Sequence, residues 1–175
     1  MVNGKDTLFG ADIELAKAIG EKLGVKVEFS VMSFDNVLAN VQSGKADIAI
    51  AGISVTDERK KVYDFSDSYY TSENVVIVKK DKVNDYTSTD SLAKQTVGTQ
   101  KGSVQETVAK KQIPKASVVS LASNGEMINE LKSGQLQAVV LEKAIAEGYI
   151  AQNDDLTLAN FNLKSDGTDL SLIHI

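Results

Sequence analysis

The feature that most constrains this chain is a repeated switch between helical and strand periodicity. Ile13, Ala16, Ile19 and Leu23 recur at helical spacing, and Gly24 stops the run. Asp12 stands where a helix cap belongs, with Glu14 in the first turn, where acids suit the helix dipole. Val25, Val27, Phe29 and Val31 then alternate with Lys26, Glu28 and Ser30, the pattern of a strand with one wet face. A second helix carries Val37, Leu38 and Val41 and closes at Gly44, and a strand follows over 47–53. Helix, strand, helix, strand implies a parallel sheet with helical crossovers, so the fold class is α/β.

The second half repeats the alternation. Strands are expected over 74–80, 96–100, 117–121, 138–141 and 156–163, and helices over 91–94, 104–111 and 143–152. Ser123 with Glu126 three residues on reads as a capping box, opening a helix with Met127, Ile128 and Leu131 that ends at Gly134. One junction recurs. Val41-Gln42-Ser43-Gly44 leads through three linking residues into Ile48-Ala49-Ile50, as Leu131-Lys132-Ser133-Gly134 leads into Ala138-Val139-Val140. A separation of about 90 residues is too long for a solenoid repeat. It suggests two lobes of similar build, though Ser-Gly is also a common helix stop. Two lobes would enclose a cleft, a preferred place for a ligand.

The most informative local stretch is 46–61. An apolar run, Ile48-Ala49-Ile50-Ala51, breaks at Gly52 and Ser54 and restarts at Thr56 as a charged helix. Free backbone N–H groups at such a corner, with roughly half a positive charge at a helix start, suit an anion. Arg59 lies one turn in, and its planar fork matches a carboxylate with two parallel hydrogen bonds. The function this suggests is a grip on the α-carboxylate of a free amino acid. An ordinary strand–loop–helix connection with a solvated Arg59 accounts for the local residues equally well.

Composition narrows the field. The net charge is −5 and the Lys pairs 60–61, 79–80 and 110–111 fall in separate segments, so there is no nucleic-acid footprint. There is no cysteine, which removes disulfides, thiolate metal sites and thiol nucleophiles. No apolar run approaches the ~20 residues that span a bilayer. The lone histidine, His174, cannot assemble a Ser-His-Asp set, and Asp81, Asp85 and Asp90 lack the glycine and spacing of a calcium loop. No metal, cofactor or catalytic residue is expected.

Gly10–Ile13, Phe34, the run 47–52, and above all Thr56-Asp57-Glu58-Arg59-Lys60-Lys61 with Tyr63-Asp64-Phe65-Ser66 behind it, resemble the polar-amino-acid-binding proteins of ABC importers. These are bacterial solute-binding proteins of family 3, with the two-lobed, Venus-flytrap type II periplasmic fold. The resemblance runs from about residue 8 to about residue 164 and is strongest in the first half. It implies a first lobe over 1–70, a second over 71–164, and a second hinge crossing and tail over 165–175.

By position, the resemblance implies that Phe34 packs on the ligand, Gly52 offers backbone groups, Ser54 donates to the ligand carboxylate and Arg59 clamps it. Gln100 and Ser103 would close from the second lobe. Glu142 would meet the α-ammonium group, where the family usually has the shorter aspartate. Each also has an ordinary structural reading: Phe34 as core, Gln100 and Ser103 as loop and cap, Glu142 as a solvated helix start. The implied partners are a free amino acid and a membrane permease, with the protein a monomer in the periplasm or a membrane-anchored lipoprotein.

Two family features fall outside the sequence on this reading: a first strand before Met1, and a return strand and helices after about residue 164. Met1 is followed by Val2-Asn3-Gly4-Lys5-Asp6, without a charged-then-apolar leader. The ending from Asp169 to Ile175 departs from the family and reads as non-native, so a fragment with an incomplete first lobe is expected. The same fold also serves as the ligand domain of receptors and histidine kinases, and resembles cyclohexadienyl dehydratases.

Overall fold

A computed structural model describes residues 8–164 and 169–174. In chain order the helices are α1 (Ala11–Leu23), α2 (Phe34–Gln42), α3 (Val104–Gln112), α4 (Asn124–Ser133) and α5 (Lys143–Ile150). The strands are β1 (Ala49–Ser54), β2 (Asp64–Phe65), β3 (Tyr70–Thr71), β4 (Asn74–Lys79), β5 (Thr96–Gln100), β6 (Ser117–Leu121), β7 (Ala138–Glu142), β8 (Leu156–Leu158) and β9 (Asp169–His174). Among the described residues they form two sheets.

The second-half sheet has the order β6-β5-β7-β4-β8. β5 runs parallel to β6 and β7, while β4 is antiparallel to β7 and β8. β4 and β7 carry unbroken apolar runs, 75–78 and 138–141, because both of their faces are covered. Val75, Ile77, Val139 and Leu141 pack on Met127, Ile128 and Leu131 of α4. The alternate residues Val76, Val78, Ala138 and Val140 pack on Val108 and Ala109 of α3. Successive side chains of one strand point to opposite faces, so one run of residues serves two cores. Caps hold the helices in place: Ser103 and Ser123 side chains accept from the N–H groups of Glu106 and Glu126, and Gly134 takes the left-handed C-cap at φ 85°.

The first sheet differs from the expected parallel one. β9 lies at its centre, and β1, β2 and β3 each pair with it antiparallel. Leu170, Ser171 and Ile173 of β9 are buried, and Ile173 joins Val41, Ala49 and Ile53 in a small core beneath α2. The segment read from sequence as departing from the fold is therefore, over Asp169–His174, the strand that holds this sheet together.

Three other expectations are corrected. Residues 25–31 form no strand; Val25 and Val31 are 59% and 75% exposed. The alternation is present, but none of the described strands lies beside it, and a strand needs a partner for its backbone groups. Asp12 does not cap α1: the N-cap is Gly10, with no side-chain cap bond. The charged helix after Thr56 is a single 3-10 turn, Arg59–Lys61, because those residues bring no apolar stripe to bury.

Candidate functional site: a cleft between the two sheets

The carboxyl ends of β1, β5 and β7 meet across a narrow cleft of about 30 Å³. Phe34, Gly52, Ser54 and Arg59 line it from the first-sheet side, and Gln100 and Glu142 from the other. Six of the seven residues singled out in the sequence thus come together. Ser103 does not. Its hydroxyl donates to the Gln100 carbonyl at 2.7 Å and accepts from the Glu106 N–H at 3.3 Å, so it is spent on capping α3.

Gly52 sits at φ 58°, a left-handed conformation that favours glycine, at an irregularity in the β1–β9 register between Ala49 and Ile53. The bulge turns the backbone of β1 where it enters the cleft. Phe34 does double duty: it lines the cleft and packs on the first-sheet core.

Arg59 reaches across the cleft. Its Nη1 donates to the Ser54 carbonyl at 2.8 Å, and its Nη2 to the Gly102 carbonyl at 3.2 Å on the opposite side. Thr56 Oγ1 accepts from the Arg59 N–H at 3.2 Å and fixes the turn. Ser54 therefore orients Arg59 through its carbonyl. A guanidinium has five N–H donors, so these two bonds leave others to serve a ligand. Among the described residues no carboxylate lies within ion-pair distance of Arg59. Burial lowers its pKa from the ordinary value, with Tyr63 pushing the other way. It remains charged, since guanidinium does not lose its proton in proteins. A three-residue turn brings no useful macrodipole, so positive character here rests on Arg59.

Glu142 faces it from the far side. Its Oε1 accepts from the hydroxyl of buried Ser72, in the crossing between the sheets, and from the Ala144 N–H at 3.1 Å. One carboxylate oxygen is thus committed to holding the side chain. A cation on one wall and an anion on the other suit a small zwitterion.

The two sides also touch directly. Lys101 Nζ pairs with Asp35 at 3.0 Å, and Gly102, at φ 76°, lies against Asp35 so closely that a Cβ would sit 3.3 Å from Asp35 Cβ. Hydrogen bonds from Ser33 and Lys101 hold the Asp35 carboxyl below its usual range. Within the first-sheet side, Tyr69 donates to Asp12 Oδ1 at 3.2 Å.

Burial and the Asp12 carboxylate raise the Tyr69 pKa from 10.0 to about 12, against a Gly52 backbone hydrogen bond. A folded-state pKa above the unfolded one favours the protonated phenol in the fold. Its contribution is present in full below pH 10.0 and lost as pH climbs to about 12. Thermal melts should therefore show stability falling across that window, and Tyr69→Phe should flatten the fall.

Residues not anticipated from sequence also line the cleft, among them Gln105, Asn124 and Ile145. Gln105 had a signal, lying in the first turn of a helix that starts at the cleft. Asn124 had none, since Ser123 and Glu126 already explain the local pattern as capping.

The architecture is that of a type II periplasmic binding protein, and the comparisons agree. Residues 1–162 match the model of the bacterial extracellular solute-binding proteins, family 3, and the chain belongs to that family. It is 37% identical over 153 residues to the arginine-binding extracellular protein ArtP of Bacillus subtilis (strain 168), covering 86% of this chain and 59% of ArtP. It is 28% identical over 158 residues to ABC transporter arginine-binding protein 1 of Escherichia coli (strain K12), covering 90% and 64% of the two. The chain thus spans about three fifths of these relatives.

Among solved structures, the amino acid ABC transporter substrate-binding protein AbpA of Streptococcus pneumoniae, bound to L-arginine, matches with a TM-score of 0.96 at 52% identity, over 99% of this chain and 73% of AbpA. An ancestral arginine-binding protein bound to glutamine matches with a TM-score of 0.90 at 40% identity, over 99% of this chain and 76% of the other.

Proposed function

We propose that this chain binds a free polar amino acid, L-arginine foremost, between lobes at 1–70 and 71–164, and delivers it outside the cytoplasm to the permease of an ABC importer. The observation that carries this reading is Arg59: a desolvated cation at the cleft, held by two carbonyls and meeting no carboxylate among the described residues. The ligand's α-carboxylate supplies the missing charge. Glu142, across the cleft, takes the α-ammonium group, and its second oxygen is the one that reaches the ligand. Phe34 and Gly52 set the shape of the pocket, and Gln100 closes from the second lobe.

A ligand touching both walls favours the closed arrangement by its extra contacts there. The crossing at 69–73 and a second near 164–168 serve as hinges. The permease reads the closed shape, and the binding protein works as a monomer, free in a periplasm or tethered as a lipoprotein. Arginine leads because a relative named arginine-binding and a structure bound to L-arginine match this chain.

A thermal-shift screen over the twenty amino acids tests the proposal. A ligand at 100 times its dissociation constant stabilises by about 2.7 kcal/mol. L-Arginine should raise the melting temperature most. No shift with any amino acid would overturn the reading.

A further inference from the structure

Asn124 carries a feature that the capping of α4 does not explain. Its Oδ1 is fully buried, has no hydrogen-bond partner, and belongs to a side chain lining the cleft. Leaving a buried carbonyl unmatched is costly, and proteins keep few such atoms without a reason. Gln105, which also lines the cleft, has its amide committed elsewhere. Its Nε2 donates at 2.8 Å to Oδ1 of Asn74, which is 2% exposed, does not line the cleft and keeps its own Nδ2 buried without a partner. Asn124 therefore offers a vacant acceptor on the second-lobe wall, while the donors of Arg59 stand on the other wall.

Accepting the proposed function as its basis, we infer that Asn124 is a specificity-determining residue: its Oδ1 receives an N–H from the end of the ligand's side chain. It selects amino acids ending in a guanidinium, ammonium or amide and disfavours those ending in a carboxylate. Ligand binding fills the vacant acceptor, and a carboxylate terminus would instead set oxygen against oxygen in a desolvated place.

The test is titration calorimetry of the protein and two variants with L-arginine, L-glutamine and L-glutamate, with thermal melts to verify folding. Asn124→Leu removes the acceptor and should weaken L-arginine roughly 10- to 100-fold. Asn124→Asp keeps an acceptor and adds charge. It should hold L-arginine within about threefold of the parent or better, and raise the preference for L-arginine over L-glutamine about tenfold. That preference remains readable even where the leucine variant fails to fold. The inference is overturned if Asn124→Leu binds L-arginine like the parent, if both variants lose affinity alike, or if the parent prefers L-glutamate. A parent that binds no amino acid would overturn the proposed function as well, which separates the two failures.

Discussion

Replacing Arg59 with alanine will lower affinity for the amino acid by about 2–5 kcal/mol, because a buried ligand carboxylate loses its charged partner. Titration calorimetry reads this directly. The substitution also removes the bonds to the Ser54 and Gly102 carbonyls, one on each side of the cleft. Part of the loss therefore comes from weakened closure. Arg59→Lys separates the two contributions: it keeps the charge but not the fork, and should recover only a fraction of the affinity. An unchanged affinity in Arg59→Ala would mean that the guanidinium serves only to bridge two loops.

The second large effect is expected at Glu142. Glu142→Gln keeps a carbonyl oxygen for Ser72 and the Ala144 N–H, and so preserves the bonds that hold the side chain. It removes the negative charge. Affinity should fall by about 2–5 kcal/mol while the melting temperature of the unliganded protein changes little. Were affinity to stay within threefold, Glu142 would be only the cap of α5, a role it also fills here. The Ser72 bond accounts for how this long side chain is kept in place.

How much of this was legible in the sequence depended on whether local pattern or a distant partner decided the structure. β5 and β6 match the expected 96–100 and 117–121 because each is a short apolar run closed by turn residues. α1 and α4 end where glycine takes the left-handed cap, at Gly24 and Gly134. Residues 25–31 have an equally clear alternation, yet no strand forms, since periodicity describes a face and not a neighbour. β9 was missed for the complementary reason: its partners lie 98 to 124 residues earlier in the chain.

The site followed the same rule. Ser54, Gln100 and Glu142 end their strands, Gly52 lies two residues inside β1 and Arg59 five beyond it, and strand ends of an α/β sheet converge on one crevice. Ser103 stands at such an end too, but a local helix cap claimed its hydroxyl. Asn124 was hidden because a capping motif explained its neighbours. Only the fold shows that its amide oxygen is buried in the cleft with nothing to accept.

The central claim is that Arg59 grips an acid group common to all free amino acids. Calorimetric titration with L-arginine and with agmatine, which is arginine without its carboxylate, tests it most directly. L-Arginine should bind with a measurable heat, and agmatine should bind at least about a hundredfold more weakly. Equal affinity for the two would contradict the claim.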